Sequence, residues 1–367
     1  GLSCGILPAR GASLPTAPRY MLAAAALSHL PGVPNFRDVG GIPCDAGARF
    51  TRPGVLLRSA SPCCANGQAV HELVGVRGVG TVLDLRSPDE ALADDTKAFQ
   101  GSSRPLGHLT VHVNLMDSSL VRNGVLRRLL MSPSAAVALG GLRLLRSMPP
   151  PPDQHAELLA RTRLSRTRVA PSLSRSLWRA VARYAAAREA AGAAYDERVA
   201  ALLAELSLAD VYEWILTRNG NAVRRALEVC AEALPRAPVL VHCTHGKDRT
   251  GLLVSLLLHA AGASAEEVAA EYARTDAWAA TAEGRAAQEA MLPARLAARL
   301  DLDGFCRASP ATLHELWRRV EARYGSVDGY MSAIGVAPAT RAALRDALTA
   351  PRPPAEGGPA AGGERGQ

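Results

Sequence analysis

Residues 239–262 read VLVHCTHGKDRTGLLVSLLLHAAG. Val239-Leu240-Val241 is a short, wholly apolar strand, and Leu252 to Ala261 is an apolar helix that stops at Gly262. Between them lies a charged loop. Strand, tight loop and helix in that order form the unit by which an α/β sheet presents a site at its carboxyl edge. Cys243 follows the strand, and Arg249, with five residues between, opens the helix. A loop of that length can curl its backbone N–H groups around one centre. Gly246 and Gly251 permit a tight backbone that approaches a ligand closely. The helix N-terminus adds positive potential at the same point. The segment is shaped for a dianionic phosphate.

The residue types fit that ligand. The positive field favours a thiolate at Cys243, able to attack phosphorus. Arg249 offers a planar fork to two phosphate oxygens. Asp248 is the nearest carboxyl that could protonate a leaving oxygen and then deprotonate water. Thr244, His245, Gly246, Lys247, Thr250 and Gly251 complete the expected phosphate-binding set. In it Thr250 is expected to donate its hydroxyl to the sulfur, and Lys247 to hold the phosphate or a second anionic group. An inert buried cysteine is the competing reading of Cys243. An ATP-binding loop is excluded, since Asp248 follows Lys247 and Val241 stands where a glycine is needed. A zinc site from His242, Cys243 and His245 lacks a second ligand cluster, so no metal and no cofactor are expected.

Outward from the loop, VLLR (residues 55–58), TVLDLR (81–86) and LTVHVNL (109–115) read as strands, and Ala69 to Val76 as a helix. Asp210 to Leu234 reads as one helical pattern ended by Pro235 and Pro238. Ser264 and Glu267 form a capping box, and further helices run to Leu348. The expected architecture is α/β, a central, mostly parallel sheet flanked by helices. Residues 1–30 are expected to be a disordered extension and 31–350 one domain. An insertion is expected at about 118–206, with a Pro-rich start near Pro149 and a helix over 177–206, and a disordered tail at 351–367.

Bulk properties set limits. The 367 residues carry a net charge of +8, nearly all of it arginine; Lys97 and Lys247 are the two lysines. That balance suits anionic partners, but no basic run is interleaved with aromatics, so specific nucleic-acid binding is not expected. Seven cysteines at unpatterned spacings point to a reducing compartment. No stretch is long enough for a transmembrane segment. A cytoplasmic location is expected. The first thirty residues, which contain Arg10 and Arg19 and no acid, leave organelle targeting as the alternative.

HCTHGKDRTG resembles the HCxxGKDRxG signature of the tyrosine-phosphatase superfamily, in its atypical bacterial and fungal-type branch of tyrosine and lipid phosphatases. NFRDVGG (35–41), LLRSA (56–60), VLDLRS (82–87) and YGSVDGYMSAIGV (324–336) resemble further segments of that branch, in order. The likeness covers about residues 32–117 and 207–348. It implies a tyrosine-phosphatase-like fold, with Cys243 as nucleophile, Arg249 as phosphate clamp and Asp248 in place of a general acid on a mobile loop. Asp84 is a second candidate for the acid, read instead as a structural partner of Arg86 or Arg58. Asn35, Arg37 and Asp38 are expected to hold the entry turn. The implied reaction is hydrolysis of phosphate monoesters through a phosphocysteine, with protein phosphotyrosine as substrate. The alternatives are phosphoinositides, soluble inositol phosphates, or a catalytically silent phosphate-binding adaptor.

Overall fold

A computed structural model describes residues 30–92, 109–116, 207–289 and 307–352. The expected insertion, its helix over 177–206, and most of the expected extension and tail lie outside the described residues. Leu30, counted with the extension, is buried in one cluster with Val33 and Phe36.

The front of the chain gives β1 (Arg37–Asp38), β2 (Pro43–Cys44), β3 (Arg49–Thr51) and β4 (Leu56–Ser59), then α1 (Gly67–Val70), which runs into a wider π turn at His71–Val76. β5 (Thr81–Asp84), α2 (Pro88–Leu92) and β6 (Leu109–His112) follow. After α3 (Leu208–Arg218) and α4 (Gly220–Ala233) come β7 (Val239–His242) and α5 (Asp248–Ala261). The remainder is helical: α6 (Ala265–Ala273), α7 (Thr275–Ala279), α8 (Ala282–Glu289), α9 (Pro310–Tyr324), α10 (Val327–Ala333) and α11 (Pro338–Leu348), closed by β8 (Thr349–Pro351).

Among the described residues the main sheet has the order β1-β4-β7-β5-β6. Its β4–β7, β7–β5 and β5–β6 pairs are parallel, and β1 is an antiparallel edge. β7 lies at the centre with all four residues buried, as its unbroken apolar character requires. Side chains alternate between two cores. Leu56, Leu83, Val239 and Val241 join the cluster built by α3, α4, α5, α9 and α11. Leu57, Val82 and Leu240 face Ala69, Leu73 and Phe36 on the other side. The α/β expectation therefore holds, as does the mostly parallel sheet.

Two features differ from the sequence reading. The single helix expected from Asp210 to Leu234 is two, because Asn219 leaves helical geometry at φ −115° and ψ 30°. A reciprocal cap starts the first of them: Ser207 Oγ accepts from Asp210 N–H at 3.2 Å, and Asp210 Oδ2 accepts from Ser207 N–H at 2.9 Å. Second, β2, β3 and β8 form a small antiparallel sheet that ties the end of the chain to its front. Short strands of two and three residues carry too little periodicity to be read locally. β8 includes Pro351, where the tail was expected to begin. No helix among the described residues is long and apolar enough to cross a membrane.

Candidate active site

The parallel register aligns Ser59, His242 and Asp84 at one edge of the sheet. Cys243 emerges beyond His242 and is 1% exposed. The loop after it is tied to the scaffold by three successive carbonyls. Thr244 C=O accepts from Ser61 N–H at 3.0 Å. His245 C=O accepts from Asn35 Nδ2 at 2.9 Å, and Gly246 C=O from Arg58 Nη2 at 2.6 Å. In a trans peptide the N–H points opposite to the carbonyl. Tying these three carbonyls outward turns the N–H groups of His245, Gly246 and Lys247 to the other side. The next N–H groups belong to the first turn of α5, where no intrahelical acceptor exists. The loop is thus a continuous row of donors beside Cys243.

Gly246 permits this path. Its φ is +65°, and a Cβ there would lie 2.3 Å from the Ser59 carbonyl oxygen. Gly251 serves a different end from the one expected: it lies within α5, and a Cβ would press on the Tyr272 ring at 2.9 Å. Its small size admits α6 rather than a ligand.

Behind the loop sits a buried triad of charges. Glu271 accepts from Arg37 Nε at 2.7 Å and from Arg58 Nη1 at 2.5 Å. Burial opposes the carboxylate's charge, but Arg37 and Arg58 together outweigh it and bring its pKa from 4.5 down to about 2. Burial and the repulsion of Arg58 lower Arg37 to about 9, since two guanidiniums share one acid. At neutral pH Glu271 stays ionised between the two guanidiniums beneath the loop. Glu271→Gln is expected to destabilise the fold by roughly 3–5 kcal/mol, the cost of stranding buried charge, read as a lower urea midpoint. Glu271 is depressed in the folded state, so its stabilisation is complete above about pH 4.5 and fades as pH falls toward 2. The variant should lose that segment of the acid-denaturation curve.

Arg249 is held by a residue that the sequence reading missed. Its Nη1 donates to Glu90 Oε2 at 2.5 Å and its Nη2 to Glu90 Oε1 at 2.7 Å. Thr244 Oγ1 donates to the same Oε1 at 2.7 Å. Burial disfavours Glu90's charge, yet the hydrogen bonds and charge of Arg249 hold its carboxyl far below the usual range. Arg249 is shifted upward in return, against its own burial. The described hydrogen bonds of Arg249 all fall on Nη1 and Nη2, and none on Nε. A signal for Glu90 existed. Ser87-Pro88-Asp89-Glu90 is a capping-box pattern with proline in the first turn, and Glu90 Oε2 does accept from Ser87 N–H at 2.9 Å.

Asp248 stands at the start of α5, its side chain 28% exposed. Its Oδ1 accepts from Tyr212 Oη at 2.6 Å and lies 3.5 Å from Lys247 Nζ. Burial pushes its pKa up, but Lys247, the Tyr212 hydrogen bond, His245 and Arg249 prevail and leave it below the usual carboxylate value. The His245 imidazole is engaged elsewhere: Nε2 meets Ala287 C=O at 3.2 Å and the ring tilts against Trp278. Burial lowers its pKa, so it is neutral at pH 7. The Thr250 hydroxyl is buried and without a hydrogen-bond partner among the described residues, so its expected bond to the sulfur is not formed here. The carbonyls one turn back, Gly246 and Lys247, are taken by Arg58 and by Gly251 N–H.

Asp84 pairs with Arg86 through both carboxylate oxygens, at 2.8–3.1 Å, which is the structural role expected of it. Asp38 accepts from the N–H groups of Gly40 and Gly54 at 2.8 and 2.6 Å and closes the entry turn. Asn35 and Arg37 do more than hold that turn, since both reach the loop or its supporting triad. His242 Nδ1 lies 3.9 Å from Asp84 Oδ1. Beside the loop runs a cleft of about 460 Å³ whose walls include Pro34, Asn35, Arg274 and Trp278. No cluster of three metal-ligating side chains occurs among the described residues.

Two comparisons bear on this arrangement. A sequence model described as the tyrosine phosphatase family matches residues 28–350. The "Triple specificity protein phosphatase PtpB" of Mycobacterium tuberculosis (strain ATCC 25618 / H37Rv) is 32% identical over 155 residues, covering 38% of this chain and 54% of that protein. The chain thus spans about half the length of this relative.

Proposed function

The chain belongs to the tyrosine phosphatase family, and on that premise we propose that it hydrolyses phosphate monoesters through a phosphocysteine, with protein phosphotyrosine as the preferred substrate. One observation carries the reading: a single loop between β7 and α5 brings Cys243, a row of N–H donors, Arg249 and Asp248 to the same edge of the sheet. In the first step the Cys243 thiolate attacks phosphorus. The bond to the leaving oxygen breaks, and Asp248 gives that oxygen a proton. Arg249 and the loop N–H groups hold the three equatorial oxygens, where charge collects in the transition state. In the second step Asp248 takes a proton from water, the water oxygen bonds to phosphorus, and the sulfur–phosphorus bond breaks to restore the thiolate.

The substrate preference follows from Asp248. Held below the usual carboxylate range, it is mostly ionised at neutral pH, and its acid form is scarce. A phenolate leaves with little help, whereas serine or inositol alkoxides need the proton more. That favours tyrosine esters over the alkyl esters of phosphoserine and phosphoinositides. Soluble inositol phosphates carry several anionic groups that Lys247 and a charged His245 would suit, but the His245 imidazole is neutral and bound to Ala287. The relative is named a triple specificity protein phosphatase, which supports protein as the substrate class.

The test is phosphate release from a phosphotyrosine peptide, a phosphoserine peptide and a short-chain phosphoinositide, in chelator with reductant. The expected order has phosphotyrosine first by at least tenfold in kcat/KM, with activity kept in chelator. A phosphoinositide in first place would replace the proposed substrate. Binding of phosphate with no turnover on any of the three would favour the adaptor reading.

A further inference from the structure

The groups that face Asp248 come from three elements. His245 and Lys247 lie on the loop, Arg249 follows Asp248 in α5, and Tyr212 comes from α3. Behind Tyr212 stands Tyr272 of α6, its hydroxyl 2.7 Å from the Tyr212 hydroxyl and its ring edge-on at 6.3 Å between centroids. Arg58 and Asp276 also bear electrostatically on Tyr272. Both tyrosines are fully buried, at 0% exposure, although neither is part of the phosphate loop. A buried hydroxyl aimed at a carboxylate acts on its charge as well as on its place.

We infer that Tyr212 is the positioning residue of Asp248, holding its carboxyl through Oδ1 and leaving Oδ2 as the oxygen that gives and takes the proton. The inference rests on the acid–base role proposed for Asp248. An ionised carboxylate only accepts hydrogen bonds, so the single Tyr212 proton points to Oδ1. Tyr212 must then accept from Tyr272, and the direction of the chain is fixed: Tyr272 to Tyr212 to Asp248. Lys247 approaches the same Oδ1. Both described contacts of the carboxylate therefore fall on one oxygen. When Asp248 is protonated, Oδ2 carries the proton and Tyr212 can keep its bond to Oδ1. The carboxyl need not turn between the two steps. Gly251 completes the device, because a side chain there would displace the Tyr272 ring.

A hydrogen bond to the charged form lowers an acid's pKa, so removing it must raise the pKa. The test compares the native protein with Tyr212→Phe, Tyr272→Phe and Asp248→Asn. The first readout is kcat/KM against pH for phenyl phosphate, whose own ionisation is common to all four proteins. Tyr212→Phe is expected to move the alkaline limb upward by roughly one pH unit, the size that a charge-assisted hydrogen bond carries. Tyr272→Phe should move it the same way by less. Asp248→Asn should abolish the limb, and it should slow phenyl phosphate more than p-nitrophenyl phosphate, whose leaving group needs less protonation. The second readout is the carboxyl titration in protein labelled with ¹³C at aspartate, with the Asp248 signal identified by its loss in Asp248→Asn. The Asp248 titration should shift upward in both tyrosine variants.

The outcomes separate. If Asp248→Asn leaves the limb in place, the acid–base role of Asp248 fails whatever the tyrosines do. If Asp248→Asn removes the limb while folded Tyr212→Phe leaves both it and the carboxyl titration unmoved, the inference about Tyr212 alone is overturned. Should Tyr212→Phe not fold, Tyr272→Phe decides: an unmoved titration there refutes the hydrogen-bond chain.

Discussion

Cys243→Ser is expected to remove turnover of phosphotyrosine peptide by a factor on the order of 10⁵ or more, the scale seen when a covalent nucleophile is deleted. The magnitude follows from what the loop does and does not supply. A thiol is acidic enough to react as a thiolate without a dedicated base. A serine hydroxyl is far less acidic and needs a base within hydrogen-bond reach. Asp248 is bound through Oδ1 to Tyr212, and His245 is bound to Ala287. Neither has a described contact with residue 243. The change is nearly isosteric at a position that is 1% exposed, so the fold and the anion-binding loop should survive. Phosphate binding measured by calorimetry should stay within a few-fold of the native protein. Rapid acid quench during turnover should trap phosphate on the native protein and none on the variant. A variant that kept as much as about a hundredth of the native rate, far above the residue left by losing a nucleophile, would sink the phosphocysteine route.

The sequence made the candidate site legible and left its supports unread, for a physical reason. The loop, its strand and its helix are contiguous, and local patterning suffices to recognise them: an apolar run, glycines, then charges at fixed offsets. Strands β4, β5 and β6 were also readable to within one to three residues, because alternation survives in four-residue segments. Glu90, Tyr212 and Glu271 act at sequence separations of 159 from Arg249, 36 from Asp248 and 234 from Arg37. No periodicity encodes such pairings. They follow from which strand ends the parallel sheet places side by side. Arg58 illustrates the point. Its sequence neighbourhood made Asp84 a plausible partner, but Asp84 is saturated by Arg86, two residues away. Arg58 instead passes under the loop to Gly246 and Glu271. Asn35, assigned to the entry turn, likewise holds the loop after Cys243, through the His245 carbonyl.

The second large effect concerns Arg249, and its companion is Glu90. Arg249→Lys is expected to lower kcat/KM by about 10³, with most of the loss in kcat, because the guanidinium matters chiefly where charge spreads over the transferring phosphoryl oxygens. Lysine keeps the positive charge, so loss of charge does not explain the expected effect. Lysine cannot engage Glu90 with two parallel bonds on one edge while presenting another edge to the phosphate. In the native site Nη1 and Nη2 are committed to Glu90, and Thr244 adds to the same corner. The guanidinium is therefore held in place before substrate arrives, and little ordering remains to be done in the transition state. Glu90→Gln tests that account. It keeps the shape and removes the charge, so it should weaken the grip on Arg249 and cost about tenfold in kcat, the effect of roughly 1.4 kcal/mol at the barrier. In the double variant the two losses should fall well short of multiplying, since a lysine at 249 has no fork for Glu90 to hold. Full multiplicativity across kcat values would mean that Glu90 acts independently of Arg249, and the paired geometry would then have no part in catalysis.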